Sequence, residues 1–204
     1  CSNYSKFNGC RTTRRNDTKF TLSLMKLYFF FFVILLTSLS ITAQRKSNGT
    51  IDTDGYWVGY ANKKTFNQEN YRDWFYDYYD RYKTEKNVIN QLKKVAKDVQ
   101  ITGYMATWCW ESKRDVPRLY KVLEEIGYNF DQLELISVDR SRIATVGSEK
   151  GKRITSVPEF IFTRDGKELG RLTKYPMGNI EKYILKTIIG EPFQKQKKGI
   201  IKRL

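Results

Sequence analysis

The run Trp108-Cys109-Trp110-Glu111-Ser112-Lys113 holds the side chains of this sequence best suited to chemistry. The residues before it, Gln100 to Ala106, read as a strand, and those after it, Ser112 to Tyr128, as a long amphipathic helix. Cys109 therefore stands at a helix N-terminus, facing unpaired backbone N–H groups and the positive end of the helix dipole. Both favour thiolate over thiol, which predicts a lowered pKa and a raised reactivity at neutral pH. Ser112, three residues on, places a hydroxyl toward the sulfur within the same turn. Glu111 is a nearby anion and acts the other way, with Lys113 and Arg114 offsetting it in part. The competing reading of a lone cysteine is a small buried hydrophobe.

Composition narrows the field. The chain has 204 residues, 37 Lys plus Arg against 22 Asp plus Glu, three Cys and no His. Without His there is no Ser-His-Asp triad, no Cys-His pair, no HExxH zinc site and no Cys/His zinc finger. Three cysteines are too few for a disulfide scaffold or an all-Cys zinc site, and the carboxylates show no metal-ligand spacing. No metal and no cofactor is expected. Asp73, Asp77 and Asp80 read as solubilising charge on one side of a helix.

The length suits one domain with extensions. The first methionine is Met25, and residues 1–24 read as an over-extended reading frame. From Met25 to Ala43 the chain has a basic start at Lys26, an unbroken apolar run from Leu27 to Leu36 and small residues up to Ala43. That is the layout of a signal peptide. The run is shorter than the ~17–25 apolar residues a membrane-spanning helix needs. The alternative is an uncleaved membrane anchor using Leu27 to Ala43. Export, to a periplasm or outside the cell, is the expected location. Cys1 and Cys10 precede Met25, which leaves Cys109 as the one thiol of the mature chain, and removing the leader also lowers the +15 formal charge.

Beyond the leader, 44–86 forms an N-terminal extension. Residues 44–52 are polar and are expected to be disordered. Tyr56 to Tyr60 is a short strand or a packed loop. In 67–84, Tyr71, Phe75, Tyr78, Tyr79 and Tyr82 recur at helical spacing, widened by Trp74, and predict a helix with its aromatic stripe on the core. Residues 87–98 form a second helix, with Val88, Ile89, Leu92 and Val95 inward. Val116, Leu119, Tyr120, Leu123 and Ile126 line the helix after Cys109. Leu133 to Val138 is a strand. Residues 139–152 are polar, with Ile143 and Val146 anchoring a short helix. Glu159 to Thr163 is a strand, Asp165-Gly166 a hairpin turn, and Glu168 to Leu172 the return strand. A helix over 178–189 buries Ile180, Ile184, Leu185 and Ile188. The basic tail, 190–204, reads as a solvated, disordered end, and no nucleic acid partner is expected.

Trp108-Cys109-x-x-Ser112-Lys113, then Pro117, then Ser156-Val157-Pro158 ahead of the EFIFT strand, then the Asp-Gly hairpin, together resemble the thioredoxin family over residues 87–189. The resemblance implies an α/β fold, a thioredoxin-like three-layer sandwich with a central mixed β-sheet, here with an N-terminal helical extension. It implies a helix kinked at Pro117 and a cis-proline at Pro158, beside the reactive sulfur. It assigns Cys109 and Ser112 to catalysis. Trp108, Trp110, Val157 and Pro158 are assigned to holding the substrate, with the Val157 backbone open to an extended client segment. Three departures bear on chemistry. Ser112 replaces the resolving cysteine, Gly103 stands where the family places a buried acid, and Trp110-Glu111 replaces Gly-Pro. Two functions follow. One is a monothiol exchange or isomerisation protein whose Cys109 forms mixed disulfides with clients bearing disulfides or thiols, completed by an external thiol or reductase. The other is a non-catalytic binding module using the same surface.

Overall fold

A computed structural model of the chain describes residues 49–144, 147, 149–173 and 178–191. The segment before Met25, the expected signal peptide at 25–43, Val146 and the tail from residue 192 lie outside the described residues.

Six strands form one mixed sheet. They are β1 (Gly49–Ile51), β2 (Trp57–Ala61), β3 (Gln100–Met105), β4 (Leu133–Ser137), β5 (Glu159–Arg164) and β6 (Lys167–Thr173), in the order β1-β2-β4-β3-β5-β6. β3 lies between a parallel neighbour, β4, and an antiparallel one, β5. The parallel pair requires a crossover, which α4 (Trp110–Ile126) provides; the hairpin at Asp165-Gly166 makes β5 and β6 antiparallel. The remaining helices are α1 (Lys63–Phe66), α2 (Glu69–Arg81), α3 (Lys86–Val95) and α5 (Ile180–Ile189). This is the thioredoxin-like α/β arrangement that the motif order implies.

The two faces of the sheet are covered differently. Ile101, Met105, Leu135, Phe160, Phe162 and Leu172 point to the face on which the helices pack, giving one large core. Tyr104, Ile136 and Ile161 point to the other face, where they meet Ala144, Ile154 and Val157 from the β4–β5 connection. The short helix expected in 139–152 is not formed among the described residues. Ile143, its expected anchor, is 55 % exposed, and its small neighbour Ala144 is buried instead. The third layer is thus irregular backbone, pinned by side chains: Arg142 Nη1 donates to Thr155 O at 2.8 Å and Arg171 Nη1 to Lys152 O at 2.6 Å.

Gly103 is buried at the centre of β3, opposite Leu135 on one side and Phe160 on the other. A Cβ there would lie 2.8 Å from Leu135 Cδ1 and 3.0 Å from Phe160 Cδ1. The space an acid would occupy is filled by hydrocarbon, so the missing carboxylate is matched by apolar packing.

The N-terminal segment differs from its expected form in two respects. Residues 49–51 are ordered as an edge strand paired to β2, closed by a turn in which the Asp52 carboxylate accepts the Asp54 and Tyr56 N–H groups at 3.0 and 2.8 Å. Gly49 permits this because the Trp57 indole lies directly over its Cα, where a Cβ would clash. In the aromatic stripe, Tyr71 and Phe75 are buried and Trp74 and Tyr79 are packed on the core, as expected. Tyr76 takes the packing position expected for Tyr78, because Tyr76 lies edge-on to both Phe75 and Tyr79. Tyr82 is buried just beyond the end of α2. Its hydroxyl donates to Glu181 and accepts the Ile180 N–H at 2.8 Å, and Glu181 also accepts the Glu85 N–H at 2.9 Å. The segment is thereby fastened to the start of α5.

Phe75 lies at the centre of this attachment, stacked on Phe66 at 4.8 Å and edge-on to Tyr120 of α4 at 5.6 Å. Truncating a fully buried Phe costs about 3–5 kcal/mol. Phe75→Ala should lower the stability of the whole domain by that order in urea unfolding; a loss under about 1 kcal/mol would show that α2 is dispensable to the core.

Candidate functional site

α4 begins at Trp110 with Cys109 as its N-cap residue, in extended conformation and without a side-chain capping bond. Its first turn is joined to the central strand by one buried contact: the Ala106 N–H donates to Ser112 Oγ at 3.1 Å. Ser112 and Ala106 are both fully buried. Pro117 sits within α4 as expected; lacking an N–H, it omits the helical bond to the carbonyl of Lys113. Gly127, at φ 68°, ends the helix in a left-handed cap.

Cys109 is 7 % exposed and is the free cysteine of the described residues. Its Sγ lies 3.0 Å from Glu111 Oε2 and 3.3 Å from the Val157 carbonyl oxygen, and both oxygens are placed to accept the thiol proton. The Val157–Pro158 peptide bond is cis. Pro158 is buried and Val157 half-buried. The Val157 carbonyl, expected to be open to an extended segment, is therefore turned to the sulfur.

The sequence reading of an activated thiolate is corrected. Cys109 is pushed above the ordinary thiol range, first by burial and then by the Glu111 carboxylate that accepts its proton. The Ser112 backbone N–H and hydroxyl favour the thiolate, but they do not outweigh these two effects. The basic neighbours expected to offset Glu111 are committed elsewhere. Lys113 Nζ lies over the Trp74 ring at 5.9 Å. Arg114 makes a two-pronged pair with buried Asp115, at 2.6 and 2.7 Å, and its guanidinium covers the Trp110 ring at 4.8 Å. A helix terminus favours a thiolate only modestly, and here a directly bonded carboxylate and a nearly dry site prevail.

The two tryptophans diverge. Trp108 is half-buried, with Nε1 donating to Val138 O at 3.2 Å, and Arg140 covers both its ring and that of Tyr56, at 5.7 and 5.1 Å. Trp110 is 56 % exposed and forms an apolar platform at the start of α4. Cys109, Ser112, Val157 and Pro158 thus converge, Trp108 supports them from below, and Trp110 faces outward. Glu111, read as a nearby opposing anion, proves to be a direct hydrogen-bond partner of the sulfur. Its position two residues after a helix N-cap was the available signal. The packing of Ala144 and Ile154 in the cluster that contains Cys109 had no such signal, because their segment is polar and aperiodic.

No family model matches the chain, and no curated protein matches it. Among solved structures, the chain is similar to mitochondrial thioredoxin 3 from Saccharomyces cerevisiae in its oxidised form, with 20 % identity over 55 % of this chain and 98 % of that one and a TM-score of 0.33. It is also similar to Fasciola hepatica thioredoxin, with 22 % identity over 51 % of this chain and 91 % of that one, TM-score 0.33. A Pseudomonas aeruginosa protein of unknown function, PA1234, gives 11 % identity over 59 % and 80 % of the two chains, TM-score 0.42. At such values the thioredoxin-like fold is read from the sheet order and the strand–cysteine–helix junction of this chain itself.

Removing the charge of Glu111 while keeping its shape should lower the pKa of Cys109. Glu111→Gln is therefore expected to shift the pH profile of iodoacetamide alkylation toward lower pH and to speed alkylation at pH 7. The unaltered chain should continue to gain alkylation rate above pH 8.5. Coincident profiles for the two proteins would show that Glu111 does not hold the thiol proton.

Proposed function

We propose that this chain is a monothiol exchange protein, working after export, that forms mixed disulfides with client polypeptides through Cys109. The observation that supports this reading best is the single sulfur at the N-cap of α4, set against the Val157 carbonyl and the cis Val157–Pro158 bond, with a hydroxyl in place of a second thiol. The Cys109 thiol passes its proton to Glu111, and the sulfur attacks one sulfur of a client disulfide. The client S–S bond breaks as the Cys109–client S–S bond forms, and the departing client thiolate takes up the proton. A second thiolate then attacks the mixed disulfide and frees Cys109. If it belongs to the client, the outcome is isomerisation. If it belongs to a small thiol or an external reductase, the outcome is net thiol transfer. Ser112 cannot perform this second attack, so turnover depends on an outside thiol. A raised thiol pKa makes the thiolate scarce at neutral pH but more nucleophilic once formed.

The binding-module reading draws on a different observation: the sulfur is nearly covered while Trp110 is prominently exposed. Intact mass spectrometry of the protein incubated with a disulfide-bonded client separates the two. Cys109→Ser is expected to abolish the covalent adduct. Undiminished client capture by that variant favours binding alone. Dithiol-driven reduction of insulin should be weak, at most about a tenth of that of a two-cysteine thioredoxin, since each cycle needs an external resolving thiol; equal turnover would remove the significance given to Ser112.

A further inference from the structure

The β4–β5 connection, residues 139–157, has no part in the exchange chemistry described above apart from Val157. Its inner side chains, Ala144, Ile154 and Val157, share one apolar cluster with Cys109, Ala106 and Val138. The connection therefore packs on the same face of the sheet as the reactive sulfur, and Val157 at its end touches that sulfur. Its outer side chains are predominantly cationic: Arg140, Arg142, Lys150, Lys152 and Arg153 are all exposed, whereas its acids, Asp139 and Glu149, are half-buried. Asp139 is occupied with the Ile143 N–H at 2.8 Å. Arg140 has an acidic neighbour, Asp54, at 3.7 Å, and Lys152 lies near enough to Glu168 to lower its pKa. Among the described residues no carboxylate pairs with Arg142, Lys150 or Arg153.

These charges are carried on an anchored backbone. Arg142 bridges to Thr155 O, Arg171 holds Lys152 O, and Arg140 Nη2 donates to the Tyr56 hydroxyl at 2.9 Å. Arg142 and Arg153 also adopt left-handed backbone, at φ 63° and 54°, a conformation that favours Gly or Asn. The residue types at these positions do not suit the backbone, yet both supply positive charge. Fixed, uncompensated cations beside a reactive centre raise the local concentration of anionic partners and their rate of encounter.

We propose that Arg140, Arg142, Lys150, Lys152 and Arg153, among the described residues of this connection, form a docking surface for client segments that carry Asp or Glu beside the cysteine that Cys109 attacks. This rests on the mixed-disulfide reading and specifies the client class. The acidic side chains meet Arg142, Lys150 and Arg153, while the apolar part of the segment lies toward Trp110. Glu111 stands on the α4 side of the sulfur, so a client with its acids turned that way is repelled. The surface thus selects orientation as well as charge.

The test uses peptides of equal length, each with one cysteine activated as a neutral pyridyl disulfide and flanked by either two Glu or two Lys. Rates of adduct formation with Cys109 are normalised to the rate of a small neutral pyridyl disulfide on the same protein. The acidic peptide should react about tenfold faster than the basic one at low salt, with the difference collapsing at high ionic strength. The Arg142→Glu, Lys150→Glu, Arg153→Glu triple variant should reverse the order. Equal normalised rates in the unaltered chain at low salt overturn the proposal, and this comparison stands even if the triple variant does not fold. If the neutral reagent fails to modify Cys109, the exchange reading itself fails. The surface is then read by equilibrium binding of the same peptides in reduced form to Cys109→Ser. A preference for the acidic peptide sustains it, and the absence of preference overturns it.

Discussion

The hydrogen bond from the Ala106 N–H to Ser112 Oγ is the contact on which the site depends. It joins the end of the central strand to the first turn of α4 in a fully buried position. By fixing that turn it sets where Cys109 lies relative to Glu111 and to the Val157 carbonyl. An unpaired buried amide costs about 1–3 kcal/mol, so a side-chain acceptor at residue 112 contributes to both shape and stability. A hydroxyl can accept from the strand and still donate toward the sulfur. Serine at this position therefore serves two purposes while placing no second thiol beside Cys109.

The protonation state of Cys109 then follows from competition among short-range terms. The helix terminus and Ser112 favour the anion, while burial and the Glu111 carboxylate favour the thiol. Burial is the largest of these, as expected for a sulfur enclosed by Ala106, Val138, Ala144 and Ile154. Gly103, at the position where the resemblance implies a buried acid, is packed against Leu135 and Phe160. A carboxylate reaches the sulfur instead from the helix side, through Glu111.

The N-terminal segment and α5 are linked through charged and aromatic contacts that together close the helical face. Glu124 of α4 receives both the Tyr79 hydroxyl and Lys63 Nζ, and Lys121 Nζ donates to the Tyr79 carbonyl at 3.0 Å. Tyr82 and Glu181 perform the same function at the start of α5. α4 is consequently gripped along its length by the extension, and the position of its first turn, and with it Cys109, is held from both ends.

Much of this was determined by the sequence alone. Period-two and period-3.6 patterns located β3 to β6 and all the long helices within a few residues, because alternation and helical stripes are local consequences of burying one face. Cys109 was marked by its place at a strand–helix junction, and the resemblance carried by Trp108-Cys109, Ser112, Pro117 and Val157-Pro158 added the partner segment from elsewhere in the chain. The tertiary structure decided the rest. The acidity of Cys109 depends first on burial, to which residues distant in sequence such as Val138, Ala144 and Ile154 contribute, and no local pattern encodes that. Lys113 and Arg114 were available as counter-charges by spacing, but Trp74 and Asp115 engage them in the folded chain. Residues 139–152 were read as a short helix from two apolar residues, Ile143 and Val146. The described residues there form no helix, and their contacts are long-range, to Arg171, Tyr56 and the sulfur cluster, outweighing a weak local helical preference.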